Sequence, residues 1–197
     1  MYRNDQRLEP ATASRTGDSR RLALKRATEA VHARVEGIIT SAGMFASLEG
    51  YRHYLSATLV IRSHYENLLD ASGAATAWPA WPGRRVAHLV AQDLDDLGGP
   101  RPVLAKRAEL ALNPAELLGA LYVLEGSSLG ARVLSRSVHA LGVSADHGAR
   151  HLHAQAGDAG VWRDFLSILD GAAVPPCHDT AVRLFADFAD AYVRAAR

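Results

Sequence analysis

Apolar residues recur every three or four positions along most of this chain, the spacing that puts one buried stripe on an α-helix. From Asp18 or Ser19 onward, Leu24, Ala27, Val31, Val35 and Ile38 make the first stripe, and Thr40-Ser41-Ala42-Gly43 ends it. Ser47 offers an N-cap to a second helix. Its stripe is Leu48, Tyr51, Leu55, Leu59, Arg62, Tyr65 and Leu69, one charge among apolar groups, and it closes near Ser72-Gly73. The run Trp78-Pro79-Ala80-Trp81-Pro82-Gly83 predicts a loop, because each proline keeps its predecessor out of helical geometry. Val86, Leu89, Val90 and Leu94 mark a third helix, stopped at Gly98-Gly99-Pro100, and a short helix is predicted from Pro102 to Leu112. Asn113-Pro114-Ala115-Glu116 supplies an N-cap, a proline at the first helical position and a glutamate placed for a capping box. The helix it starts is predicted to run to about Leu141. Residues 142–160 show no clear period. Trp162, Phe165, Leu166 and Leu169 mark a further helix; Asp179 is the expected cap of the last, with Val182, Phe185, Ala189 and Tyr192 or Val193 facing inward.

The predicted fold is therefore all-α: a single domain of about seven helices over residues 19–197, a multi-helix bundle, after a polar, unpatterned tail at 1–18. A chain of 197 residues with 48% hydrophobic and 22% charged content can bury a real core. A net charge of +1 is far from the basic excess of a protein that binds nucleic acid, so none is expected. The single cysteine, Cys177, excludes an internal disulfide and any zinc site of several thiolates; with no activating partner in view it is expected to be inert. No stretch approaches the roughly 18 apolar residues of a membrane span, and the first twenty residues lack a signal-peptide core. A cytoplasmic protein is expected.

Two features carry candidate chemistry. The first helix holds Lys25, Thr28, His32 and Glu36. At about 100° per residue, Lys25 and His32 lie at the border of the apolar stripe, where an imidazole can reach into a cleft between helices. Glu36, one turn on, can reach a ring nitrogen and set the tautomer. The second feature is Tyr122-Val123-Leu124-Glu125-Gly126-Ser127-Ser128-Leu129-Gly130-Ala131. Gly126 and Gly130 share one helix face, and each costs about 1 kcal/mol relative to alanine in a helix interior. Missing side chains let a neighbour approach the backbone: another helix or a flat ligand.

Together these features resemble the heme oxygenases. Leu24 to Glu36, LKRATEAVHARVE, is similar to the proximal-helix motif of that family, and Tyr122 to Leu134, YVLEGSSLGARVL, to the distal-helix motif of its bacterial members. The likeness extends more weakly over about residues 20–195. It implies His32 as axial ligand of the heme iron, Glu36 as the carboxylate orienting it, and Lys25 and Tyr122 at the propionates. Thr28 and Phe185 join the implied heme contacts. Gly126 and Gly130 would lie over the distal face, with Ser127 where some members carry an aspartate that orders water. His151-Leu152-His153 stands where bacterial members usually place aromatics. The implied reaction cleaves heme, both cofactor and substrate, with O2 to biliverdin, carbon monoxide and free iron. Electrons would come from an external ferredoxin- or flavoprotein-type donor, with a biliverdin acceptor such as a phytochrome as a further partner. A neutral histidine ligand pushes electrons onto iron only modestly, unlike a thiolate, which favours O–O cleavage.

Other readings compete. Glu29-Ala30-Val31-His32 has the E-x-x-H spacing of di-iron carboxylate bundles, but these need a second copy, and near His53 the glutamate, Glu49, is four residues back rather than three. A non-enzymatic protein that binds, stores or senses heme on the same fold is the main alternative. His147, His151 and His153 could bring two imidazoles together on a metal, although a solvated histidine-rich loop is the expectation there.

Overall fold

The computed structural model describes residues 19–104, 110–157 and 159–197. Among them the chain forms eight α-helices: α1 (Arg20–Ser41), α2 (Leu48–Ala71), α3 (Ala74–Ala77), α4 (Ala87–Asp96), α5 (Pro114–Ser137), α6 (Arg150–Ala156), α7 (Ala159–Gly171) and α8 (His178–Ala195). No strand occurs among the described residues; the only β features are isolated bridges from Ser144 to His147 and Gly148. The expected tail at 1–18 lies outside the described residues. So does the middle of the helix expected from Pro102 to Leu112, whose described ends are not helical.

Where a helix start depends on a local side chain, expectation and structure agree. Ser19 and Ser47 accept from Leu22 N and Gly50 N, and Asn113 and Glu116 complete a reciprocal capping box. Elsewhere the structure corrects the pattern. The Trp78–Gly83 loop tightens into a 3-10 turn at Trp81–Arg84, since proline fits the first positions of such a turn. The long helix ends as α-helix at Ser137 and continues as a 3-10 turn to Leu141. Cys177, not Asp179, is the N-cap of α8, and Asp179 sits in its first turn. On α1 the inward face substitutes Thr28 for Ala27: Thr28 is buried and Ala27 exposed.

α2 runs through the core, with Tyr51, Leu55 and Leu69 fully buried. α8 packs against α1, α2 and α5, so it joins the two helices that carry the candidate chemistry. Arg20 ties the start of α1 to the end of α7 by donating to Leu169 O and Ala172 O, the favourable place for a cation. At the N-terminus of α8, Cys177 O would lie 2.3 Å from a Cβ on Gly119, so that glycine is required by backbone packing. Pro114–Leu141 is, by length and composition, long and apolar enough to cross a membrane, contrary to the expectation above; over half of it is buried inside the fold, as in a core helix.

The interior also holds paired charge. Arg62, the lone charge in the α2 stripe, is buried against Glu66 at 3.0 Å, and Glu66 accepts from Val86 N and Ala87 N at the start of α4. Asp93 on α4 is fully buried and accepts from Arg150 N and His151 N, capping α6 from another helix. Its Oδ2 also lies 2.7 Å from His151 Nδ1. The solvated loop expected around His151 is therefore a buried helix, because Asp93 satisfies its first amides. No group of three or more metal-binding side chains occurs among the described residues.

This pair sets a pH dependence. Burial pushes the His151 imidazole down, against the opposing pull of Asp93, so it is neutral in the fold at pH 7. Burial would raise the Asp93 carboxyl, but bonds from His151 and Arg150 outweigh it and hold the carboxyl below its usual range. Both groups are depressed in the folded state. Their stabilisation is therefore complete above the unfolded values and is lost as pH falls, first below about 6.5 for histidine and then below about 4 for aspartate. Urea midpoints should fall from pH 7 to pH 5, and His151→Phe should flatten that slope even if it lowers stability overall; an unchanged slope would remove His151 as its source.

Candidate active site

α1 and α5 pack little against each other, and Thr28 on α1 and Tyr122 on α5 mark where they approach. There the half-buried Tyr122 phenol lies close to Thr28, whose hydroxyl donates to Leu24 O at 2.8 Å. Burial raises the Tyr122 pKa, with Arg21 and Thr28 pulling it back, so a positive side chain stands near this hinge. One turn further along α1 is His32; one and two turns further along α5 are Gly126 and Gly130. These residues lie beyond the point of contact.

The His32 side chain is 53% exposed. Its Nδ1 lies 3.7 Å from Glu36 Oε1, and the edge of Phe185 on α8 meets its ring at 5.3 Å between centroids and 83°. Nε2 has no hydrogen-bond partner among the described residues. The imidazole is thus oriented from one side and open on the other. Lys25 is exposed on the same helix.

On α5 the two glycines differ. A Cβ at Gly126 would make ordinary contact with Trp162, 3.5 Å away, and Trp162 also stacks obliquely on Tyr122. A Cβ at Gly130 would meet nothing within 4 Å. Protein packing explains Gly119 but gives no reason for Gly130. Beside it, Leu129 and Val133 are 45% and 65% exposed. Gly126, Leu129, Gly130 and Val133 follow the i, i+3, i+4, i+7 rule, so the sequence already places them on one face; what it leaves open is that, beyond Trp162 at Gly126, Leu129, Gly130 and Val133 stay exposed among the described residues. Ser127, also exposed, borders this face.

Polar groups behind the glycines were not singled out from the sequence. Glu125 is buried and accepts two bonds from Arg84, at 2.9 and 3.1 Å. Burial pushes the Glu125 carboxyl up, with Arg84 the main opposing influence. Buried Gln155 on α6 reaches Ser127.

An open imidazole, an apolar helix face without covering protein, and a glycine with empty space before it suit a flat, largely apolar ligand that carries a metal. Heme fits these residues. No protein-family model matches the chain. Heme oxygenase PigA of Pseudomonas aeruginosa is 34% identical over 83% of this chain and 83% of its own length. A heme oxygenase of Xanthomonas campestris pv. campestris is 30% identical over 56% of this chain and 70% of its own. The fold matches a solved structure of the NO- and CO-bound heme oxygenase from Neisseria meningitidis with a TM-score of 0.78, at 26% identity, covering 90% of this chain and 92% of that one. The chain belongs to the heme oxygenase family.

Proposed function

We propose that this enzyme cleaves heme oxidatively between α1 and α5, where His32 would hold the iron and Gly126 and Gly130 would let the backbone of α5 approach the ring. The observation that carries this assignment is Gly130, a helix-interior glycine with open space where a side chain would be. When bound, heme supplies both the iron that activates O2 and the porphyrin that is oxidised.

The chain's own residues have separable tasks. Glu36, with Oε1 3.7 Å from His32 Nδ1, is placed to favour a proton on that nitrogen, which would leave the Nε2 lone pair for iron. The Phe185 edge limits rotation of that imidazole. Gly126 and Gly130 let the backbone of α5 approach a flat ring, while Leu129 and Val133 cover apolar surface. Lys25 and Tyr122, with Arg21 near the phenol, suit the heme carboxylates, and Thr28 holds Tyr122 in place. Ser127 is the polar side chain at the edge of the glycine face and serves to order water there. A ferredoxin- or flavoprotein-type donor supplies electrons, and biliverdin passes to an acceptor such as a phytochrome. We place the reaction in the cytoplasm.

Adding hemin and then a reductant under air should give one bound heme per chain, followed by loss of its absorption and release of biliverdin. A stable heme complex that no reductant converts would favour the storage or sensing alternative instead.

A further inference from the structure

Six buried side-chain nitrogens and oxygens lack a hydrogen-bond partner among the described residues, and five of them lie on α5 or α6, which pack against each other. Two of the five belong to one group. Arg132 on α5 has both Nε and Nη2 buried and without a partner. These nitrogens form one edge of the guanidinium, and their N–H bonds run parallel, the arrangement that takes two oxygens of one anion. An arginine stays charged in the fold. Burying a charged donor without an acceptor is costly, so this edge calls for one.

The protein does not supply it. Glu125 lies two turns back on the same face of α5. Burial pushes its carboxyl up, and Arg132 is among the charges that oppose this. No hydrogen bond joins the two, and Arg84 already donates to both Glu125 oxygens, at 2.9 and 3.1 Å.

The surroundings of the edge are polar and equally unfilled. Ser128, one turn before Arg132, is 1% exposed, and its hydroxyl has no partner among the described residues. Long side chains on a helix lean toward its N-terminus, so Arg132 extends over Ser128. α6 meets this part of the chain on both sides of Arg132. Gln155 bonds Ser127, and the His153 ring lies 5.9 Å from that of His139, with His153 Nε2 also buried and unpartnered. Arg132 stands about 200° round the helix from Gly130, so a ligand at the glycine face does not fill this place.

We propose that the interface of α5 and α6 binds a small oxyanion, held by the Nε–Nη2 edge of Arg132 and by the Ser128 hydroxyl as a further donor. The chemistry required is two oxygens on one negatively charged group, as in phosphate or a carboxylate. Its occupant ties α6 to the back of α5, and the site does not depend on heme.

The test uses the full-length chain without hemin, at constant ionic strength. Inorganic phosphate and acetate are compared as the two sources. The anion that binds, at about 100 times its dissociation constant, should raise the wild-type Tm by about 5 °C or more. Arg132→Met should lose that rise, whereas Arg163→Met, which removes an exposed arginine from α7, should keep it. A rise with phosphate alone assigns the site to phosphate, and a rise with acetate alone assigns it to a carboxylate. Titration calorimetry with the same anion should show a single site, weakened about 3–10-fold in Ser128→Ala by the loss of one hydrogen bond. Arg132→Gln replaces Arg132→Met if the latter folds poorly. An equal rise in wild type and the Arg132 variant would be a general salt effect and overturns the proposal. No rise with either anion leaves water alone at the edge and overturns it too.

Discussion

His32→Ala is expected to abolish normal heme turnover while leaving the apoprotein folded. The imidazole is half-exposed, and its contacts are the Phe185 edge and Glu36 at 3.7 Å. A substitution at such a site changes stability by about 0.5 kcal/mol or less, so the apo melting temperature should hardly move. The effect on heme is much larger. Partners that merely orient a metal ligand already cost about 10–100-fold when removed, so loss of the ligand itself should exceed about 100-fold in turnover. The absorption spectrum of bound hemin should change, and added imidazole should partly restore it by entering the space left by the side chain. Unchanged spectrum and turnover would move the axial ligand to another residue.

Gly130→Leu separates packing from ligand binding. A side chain there meets no protein atom within 4 Å. The apoprotein should therefore escape the roughly 1–3 kcal/mol that overpacking costs. Removing a glycine from the helix interior should instead stabilise it by up to about 1 kcal/mol. The leucine would stand where the ring is proposed to lie, so heme affinity or biliverdin yield per bound heme should fall steeply. Gly119→Leu is the contrasting control. Its Cβ would lie 2.3 Å from Cys177 O, so it should lower the apo melting temperature outright. A clearly lower apo melting temperature for Gly130→Leu, with normal biliverdin yield, would return Gly130 to simple packing.

Much of the fold was legible because the interactions that start these helices are local. Ser19, Ser47 and Asn113 bond amides two or three residues away, and the Glu116 carboxylate answers Asn113 N at 3.0 Å. Such bonds are written in consecutive residues. The α6 helix was not legible for the opposite reason. Its N-cap, Ala149, has no side-chain acceptor to offer, and its first amides are satisfied by Asp93, more than fifty residues earlier. That long-range cap also turned His151 from an expected solvated residue into a buried partner of Asp93.

The sequence by itself determined an all-helical chain, and placed a histidine and a glutamate one turn apart on one helix and two glycines on one face of another. Helical periodicity is a property of neighbours, so these facts need no tertiary information. Only the tertiary structure decided which absent side chain has a packing reason: Cys177 presses on Gly119, Trp162 lies beside Gly126, and Gly130 faces open space. It also decided that α8 and α7 bring Phe185 and Trp162 to the site, and that Gln155 stands behind Ser127. Each of these depends on segments far apart in the chain meeting in space, and no local pattern encodes such a meeting.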